Sequence, residues 1–164
     1  MDSLIAAVAQ YLPFLIAGAA AVIWLFLPRQ DKVGLAVQTI VALVMAAVLI
    51  QLAAAIHADP RPFVVNPSIK PLFAHPGDNG FPSDHTTLAA TVALLVMSYR
   101  RSLGAALLAA SILMGATRVA AHVHHVQDIV GGVLIAVLAV GIATVTWRWV
   151  RPRLPRRLTE ATSS

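Results

Sequence analysis

Long stretches without charge constrain this chain more than any other feature of its sequence. Ser3–Pro28 and Val33–Ala58 contain no Asp, Glu, Lys or Arg, and shorter apolar runs follow at Thr86–Tyr99, Ser102–Thr117 and Ile129–Trp147. A membrane-spanning helix needs about 20 predominantly apolar residues, so the first, second and fifth runs are long enough alone. We therefore predict an all-α integral membrane protein, a bundle of about five transmembrane helices occupying residues 1–150 as one domain.

The composition agrees with a membrane protein and excludes several other classes. The chain is 59% hydrophobic and 12% charged, whereas soluble domains carry about 25% charged residues. Cysteine is absent, so disulfides and thiolate metal sites are excluded. The N-terminus MDSLIAAV lacks the basic region of a secretory signal, and we expect the first apolar run to be a retained span.

The third and fourth runs are short, and their length bears on where polar groups lie. To span, they must recruit Pro82–His85 and Arg118–His122, which places those polar residues at the edge of the hydrocarbon, where lipid head groups sit. Pro13 within the first run is tolerable in a membrane helix.

The distribution of basic residues predicts the orientation of the bundle. With five spans, one side holds nine of the twelve Lys and Arg residues, which makes that side cytoplasmic. The opposite side holds all six histidines. The N-terminus and the histidines are thus expected outside a bacterial plasma membrane, and residues 151–164 are expected to form a disordered, basic cytoplasmic tail. This asymmetry accounts for the net charge of +5 without a nucleic-acid partner.

Three polar segments are predicted to meet on the outer face. They are Asp59–Pro62, Phe81–His85 and Thr117–Asp128. Arginine forks match phosphoryl oxygens, and Ser83 is a plausible N-cap whose helix N-terminus favours an anion. His124 and Asp128 are four residues apart, the spacing of a histidine whose tautomer is set by a carboxylate. Together they predict a phosphate site with a histidine nucleophile.

The same residues carry a resemblance to a known family. Arg61-Pro62, Pro82-Ser83-Asp84-His85 and Thr117-Arg118-x5-His124-x3-Asp128 resemble the three signature motifs of the type 2 phosphatidic acid phosphatase superfamily, which shares its site with the vanadium haloperoxidases. DNGFPSDHTT, with RPFV upstream, looks most like the bacterial undecaprenyl-diphosphatase branch. The resemblance implies that His124 forms a phosphohistidine with Asp128 as its partner, that His85 is the general acid, and that no metal or other cofactor takes part.

The resemblance also implies a phosphate-binding set, and the chain departs from the family pattern at three positions. The usual lysine seven residues before Arg61 is Ala54, the usual glycine of the second motif is Asp84, and Thr117 replaces a serine. Lys70 is one candidate to replace the missing lysine. The predicted phosphate-binding residues are Arg61, Arg118, Ser83, Asp84 and Lys70.

The remaining four histidines have no predicted role in catalysis or phosphate binding. His122-x-His124-His125 has a spacing that can ligate metal, but we interpret His122 and His125 as polar groups at the membrane interface, and His57 and His75 have no motif support.

The resemblance implies hydrolysis of the terminal phosphate of a polyprenyl (undecaprenyl or decaprenyl) diphosphate, which gives the monophosphate lipid carrier of cell-wall synthesis. Alternatives are a phosphatidate, phosphatidylglycerophosphate or prenyl-phosphosugar phosphatase and, from another class, a histidine-lined metal or proton transporter. The expected partners are a lipid phosphate substrate and the bilayer. Small-residue patterns such as Ala17–Ala21 permit close packing within the bundle or a homodimer.

Overall fold

The computed structural model describes residues 1–153, which form five long helices, one short helix and a 3₁₀ turn. No β-strand occurs among the described residues, which confirms the predicted all-α class. Of the predicted tail, only the turn Arg151–Arg153 is described, and residues 154–164 lie outside the described part. The helices are α1 (Asp2–Leu25), α2 (Arg29–Ile56), α3 (Pro62–Val65), α4 (Asp84–Tyr99), α5 (Arg101–Ala120) and α6 (Val126–Val150).

The long helices correspond to the five apolar runs. Four of them, α1, α2, α5 and α6, are long and apolar enough to cross a membrane. Helix α5 extends to Ala120 and therefore includes Arg118, as expected for a short apolar run that spans the membrane. Helix α4 has 16 residues and is about 24 Å long, because it begins at Asp84 and leaves Pro82 and Ser83 outside.

Helix α4 is the inner helix of the bundle. It contacts α1, α2, α5 and α6, and its alanines and threonines are buried against them. The threonine hydroxyls need no water, since Thr87 Oγ1 donates to the carbonyl of Ser83 at 2.9 Å and Thr91 Oγ1 to that of Thr87 at 2.7 Å. The outer faces of the other helices expose large apolar side chains such as Phe14 and Ile40, which suits contact with lipid.

Close approach of α4 and α6 depends on a glycine. A Cβ on Gly132 would lie 2.9 Å from Thr87 Oγ1 and 3.0 Å from the Ser83 carbonyl oxygen. The Ser83 amide in turn donates to the carbonyl of Asp128 at 3.1 Å. The N-terminal ends of α4 and α6 are therefore locked side by side, and the second and third motifs meet there.

The connector between α2 and α4 is ordered, and it lies over the ends of the helices. Asn79 closes it, because its side-chain oxygen accepts the amides of Asp59 at 2.8 Å and Phe81 at 3.1 Å. Further along, the Leu72 amide donates to the carbonyl of Ala121 at 3.2 Å. The connector is thus attached to α2 at one end and to the end of α5 at the other.

Candidate active site

Five polar side chains from the three predicted motifs are buried together at the N-terminal ends of α4 and α6. Burying ionisable groups is costly unless they are paired, so such a cluster indicates a functional site. Their exposed fractions are 5% for Arg61, 0% for Ser83, 2% for Arg118, 3% for His124 and 0% for Asp128.

His124 and Asp128 form the predicted pair. His124 Nδ1 lies 3.0 Å from Asp128 Oδ2, and the same oxygen accepts the backbone amide of His125 at 2.8 Å. The carboxylate is positioned because Asp128 is the third residue of α6, where it caps the helix reciprocally with His125. Asp128 therefore selects the tautomer with hydrogen on Nδ1, so that Nε2 carries the lone pair of the ring.

The charge state of His124 suits a nucleophile. Burial lowers the pKa of His124, and the charges of Arg118 and Arg61 lower it further, whereas the hydrogen bond to Asp128 raises it. The net shift is downward, so the imidazole is neutral at neutral pH.

Arg61 joins the first motif to the nucleophile. Its Nη1 donates to the carbonyl of Val123 at 2.7 Å and lies 3.3 Å from His124 Nε2. Its Nε pairs with Asp78 Oδ1 at 2.9 Å. One edge of the guanidinium is thus held by the connector, while a donor points to the space in front of the attacking nitrogen, where a phosphoryl oxygen would sit.

Arg118 is held by a contact that follows from Pro13. Proline has no N–H, so the carbonyl of Ala9, four residues earlier in α1, loses its helical partner. Arg118 Nη1 donates to that carbonyl at 3.2 Å. Within the described residues the buried Nε of Arg118 has no partner, which leaves a donor for an anion.

The second motif opens α4 as predicted. Ser83 is the N-cap, since its Oγ accepts the Thr86 amide at 3.5 Å. Asp84 lies in the first turn of α4, where its negative charge interacts favourably with the positive end of the helix dipole. His85 is exposed in a groove with Phe14 and Leu88. The positive charges of Arg118 and Arg61 act on its ring.

Two residues bear on the lysine that the family pattern places seven residues before Arg61. Lys70, the predicted replacement, is exposed, and its carbonyl lies 3.3 Å from His122 Nδ1. Ala54 contributes a backbone carbonyl that accepts from Asn79 Nδ2 at 3.3 Å.

His75, which belongs to none of the three sequence motifs, lies within the site. Its Nε2 is 3.0 Å from Arg118 Nη2, and its ring centre is 6.1 Å from that of His124. Sequence reasoning missed it because its spacing from the motifs has no helical or strand periodicity; the only available signal was that its connector also carries Arg61.

His125 and His122 have different surroundings. His125 Nδ1 lies 2.9 Å from Asp59 Oδ2, and Asp59, His125 and Asp128 have ligand atoms within 4.8 Å of one another. The Asp59 oxygen already accepts Gln127 Nε2 at 2.6 Å, so hydrogen bonds satisfy this group. Burial raises the pKa of Asp59, but its hydrogen bonds to Gln127 and His125 bring it below its usual value. His122 is exposed, with a φ of 61° in the turn after α5.

The arrangement combines a neutral histidine, two guanidinium groups and a helix N-terminus in one buried cluster. Such donors stabilise the charge that spreads over the equatorial oxygens of a phosphoryl group during transfer. The geometry therefore suits phosphoryl transfer to His124.

Comparisons with known proteins identify the family of this chain. The Bacitracin transport permease protein BcrC of Bacillus licheniformis is 27% identical over 146 residues, which cover 89% of this chain and 70% of that protein. Undecaprenyl-diphosphatase BcrC of Bacillus subtilis is 28% identical over 138 residues, covering 84% and 70%. The crystal structure of Aquifex aeolicus LpxE is similar in fold, with a TM-score of 0.71 and 23% identity over 88% of this chain and 85% of that chain. The model of the PAP2 superfamily matches residues 35–154, and the chain therefore belongs to this superfamily of lipid phosphatases.

Proposed function

We propose that this lipid phosphatase removes the terminal phosphate of a polyprenyl diphosphate through a phosphohistidine at His124. The observation that carries the chemistry is the His124–Asp128 pair, 3.0 Å apart and buried beside two arginines. The pair supplies a neutral nucleophile with a fixed tautomer in a site built for an anion.

The reaction has two steps. His124 Nε2 attacks the terminal phosphorus, the bond from phosphorus to the bridging oxygen breaks, and His85, which is protonated when the phosphates are bound, donates its proton to that oxygen as the lipid monophosphate leaves. Water then attacks the phosphohistidine, His85 takes a proton from it, and the phosphorus–nitrogen bond breaks. Inorganic phosphate leaves, and both histidines return to their initial states.

An apolar groove beside His85 supports a lipid substrate. It is lined by Pro13 and Phe14 of α1 and by Leu88 of α4, among others. A second apolar groove between α1, α2 and α4 shares Ala17 and Val92 with it. A hydrocarbon chain could therefore run from the leaving oxygen along the bundle while its phosphates remain among the arginines.

The choice of a polyprenyl diphosphate is supported by the relatives. The Bacillus subtilis relative is named an undecaprenyl-diphosphatase, and the DNGFPSDHTT segment resembles that branch. Phosphatidate, phosphatidylglycerophosphate and prenyl-phosphosugar phosphates are the competing substrates, because the same site chemistry would accept their phosphoryl groups.

The orientation proposed is a site outside the cell and a cytoplasmic C-terminus. Arg29, Arg101 and Arg148 lie at the ends of α2, α5 and α6 away from the active site, which supports a cytoplasmic location for those ends. Cysteines introduced at Ser163 should react with an impermeant thiol reagent only after the membrane is opened. Labelling in intact cells would contradict this orientation.

The deciding experiment is phosphate release by purified protein from a polyprenyl diphosphate, phosphatidate and phosphatidylglycerophosphate in matched detergent micelles. We expect the polyprenyl diphosphate to have the highest kcat/KM, vanadate to inhibit, and His124→Ala to abolish turnover while helical content is retained. If no lipid phosphate is hydrolysed but vesicles carrying the protein move metal ions or protons, the transporter alternative replaces this proposal.

A further inference from the structure

His75 is fixed in the active site by contacts at both ring nitrogens. Its Nδ1 lies 3.2 Å from the carbonyl of Pro76, and its Nε2 lies 3.0 Å from Arg118 Nη2. A carbonyl can only accept and a guanidinium can only donate. The ring therefore carries its hydrogen on Nδ1 and accepts from Arg118 at Nε2, which is the neutral form.

The segment before His75 holds it there. The Leu72 amide bonds the end of α5 at 3.2 Å, and the Phe73 ring lies 6.0 Å from the Arg118 guanidinium carbon. The connector thus packs on Arg118 through consecutive contacts and places an imidazole at Arg118 Nη2, with its ring centre 6.1 Å from that of His124. A polar group so placed, half buried and facing a catalytic arginine, needs a role beyond packing.

We propose that His75 is a phosphate ligand that acts in its protonated form. When a phosphoryl group enters, Arg118 Nη2 turns from His75 to a phosphoryl oxygen, and His75 takes up a proton from water at Nε2. The imidazolium then donates a hydrogen bond to the same phosphoryl group. This inference rests on the proposed function, since it assigns a further residue to the same site.

As a protonated phosphate ligand, His75 compensates for the absence of a lysine at position 54. Ala54 offers only its backbone carbonyl, and the Lys70 side chain is exposed. His75 supplies a cation that exists only when a negative charge is present. The groups facing it are positively charged or neutral: Arg118 from α5, His124 from the turn before α6, Arg61 from the start of the connector and His85 from α4.

The electrostatic setting explains why the proton arrives with the ligand. In the empty site, burial lowers the pKa of His75, and the charges of Arg61 and Arg118 lower it further, against the opposing hydrogen bond to Pro76. A phosphate dianion bound between the rings of His75 and His124 adds negative charge beside His75 and so raises the pKa of His75. A group whose pKa is higher in the bound state strengthens binding at low pH, and that gain disappears as pH rises through the bound-state pKa.

The test is calorimetric binding of tungstate, an oxyanion whose charge is constant across neutral pH, to the full chain in detergent at about pH 6 and about pH 8. For the wild type we expect affinity to fall with pH, by up to about tenfold per pH unit. His75→Gln retains an acceptor for Arg118 but cannot take up a proton, so its affinity should match the wild type at high pH and improve less than that of the wild type at low pH, where His85 and His124 still take up protons. His75→Lys should bind tightly at both.

A purely structural role for His75 predicts a different result. If it only holds Arg118, His75→Gln should keep the pH dependence of the wild type, and that outcome overturns the proposal. Proton uptake, obtained from binding enthalpies in buffers of different ionisation enthalpy, gives a check that needs no variant. A wild type that takes up no proton near pH 7.5 overturns the proposal even if every variant is unstable.

Failure of this inference is distinguishable from failure of the proposed function. Tungstate binding requires no turnover, so a chain that hydrolyses no lipid phosphate can still show the proton-linked binding. Conversely, hydrolysis of a polyprenyl diphosphate together with pH-independent tungstate binding would leave the function standing and remove His75 from the phosphate site.

Discussion

Replacing Asp128 by asparagine tests the nucleophile pair most directly. The side chain is fully buried, and asparagine has almost the same volume, so the helix should form as before. What changes is charge: Asp128 Oδ2 accepts from His124 Nδ1 at 3.0 Å and from the His125 amide at 2.8 Å. A neutral amide can still accept these bonds, but it does not stabilise the positive charge that imidazole gains as it attacks phosphorus.

The size of the effect follows from those contacts. A hydrogen bond to a charged group contributes about 1.5–3 kcal/mol, and His124 needs it most in the transition state. Losing about 3 kcal/mol there lowers kcat/KM roughly 150-fold, because about 1.4 kcal/mol corresponds to a factor of ten. The assay is phosphate release from polyprenyl diphosphate micelles, with thermal unfolding as the measure of fold.

Asp59→Asn is the matched control. Asp59 lies in the same cluster, but its Oδ2 bonds His125 at 2.9 Å and Gln127 at 2.6 Å, not His124. We expect it to reduce kcat/KM by less than about fivefold. The reasoning is refuted if Asp128→Asn stays within about threefold of the wild type, or if the two variants lose equal activity.

The pH profile of the same variant supplies a second measurement. The hydrogen bond to Asp128 raises the pKa of His124 against the lowering caused by burial and by Arg118 and Arg61. Since only neutral His124 attacks, activity declines as pH falls through that pKa. Asp128→Asn should therefore shift the acidic limb of kcat/KM to lower pH, although the plateau is lower. A limb that moves to higher pH would contradict the assigned partner role.

Further predictions concern packing, positioning and metal. Gly132→Ala should destabilise the fold by about 1–3 kcal/mol, because its Cβ would lie 2.9 Å from Thr87 Oγ1. Gly141→Ala is the control: its Cβ would have no atom within 4 Å, so this variant should unfold at the wild-type temperature or slightly above. Pro13→Ala restores an N–H that competes with Arg118 for the Ala9 carbonyl, so KM should rise about two- to fivefold without loss of thermal stability; an unchanged KM contradicts this. Activity should persist in EDTA, and loss that Mg²⁺ restores would contradict the metal-free mechanism.

Much of the fold was readable from the sequence because membranes impose simple rules. In hydrocarbon, every backbone group must bond within its own helix or a closed barrel, so long apolar runs predict helices directly. Pattern alone could not show that α4 is the inner helix. Its run reads like the others, and its position follows from small residues and Gly132, which let neighbouring helices approach.

Much of the candidate site was also readable, since the three motifs carry charged groups that are costly to bury without a purpose. The Ser83 cap at the start of α4 was predicted, and the structure brings Arg61, Arg118, His124 and Asp128 together as the motifs implied. Their roles in catalysis and phosphate binding stay predictions until the variants are measured.

What only the tertiary structure decided is which residues without a motif join the site. His75 contacts Arg118, whereas the Lys70 side chain is exposed, although both residues lie in the same connector. The Ala9 carbonyl holds Arg118 from α1, more than a hundred positions away in sequence. Such contacts depend on how an irregular connector folds over the helix ends and on where Pro13 leaves a carbonyl free. No periodicity encodes them, because they are made by non-repeating backbone and by helices that meet only after the bundle has packed.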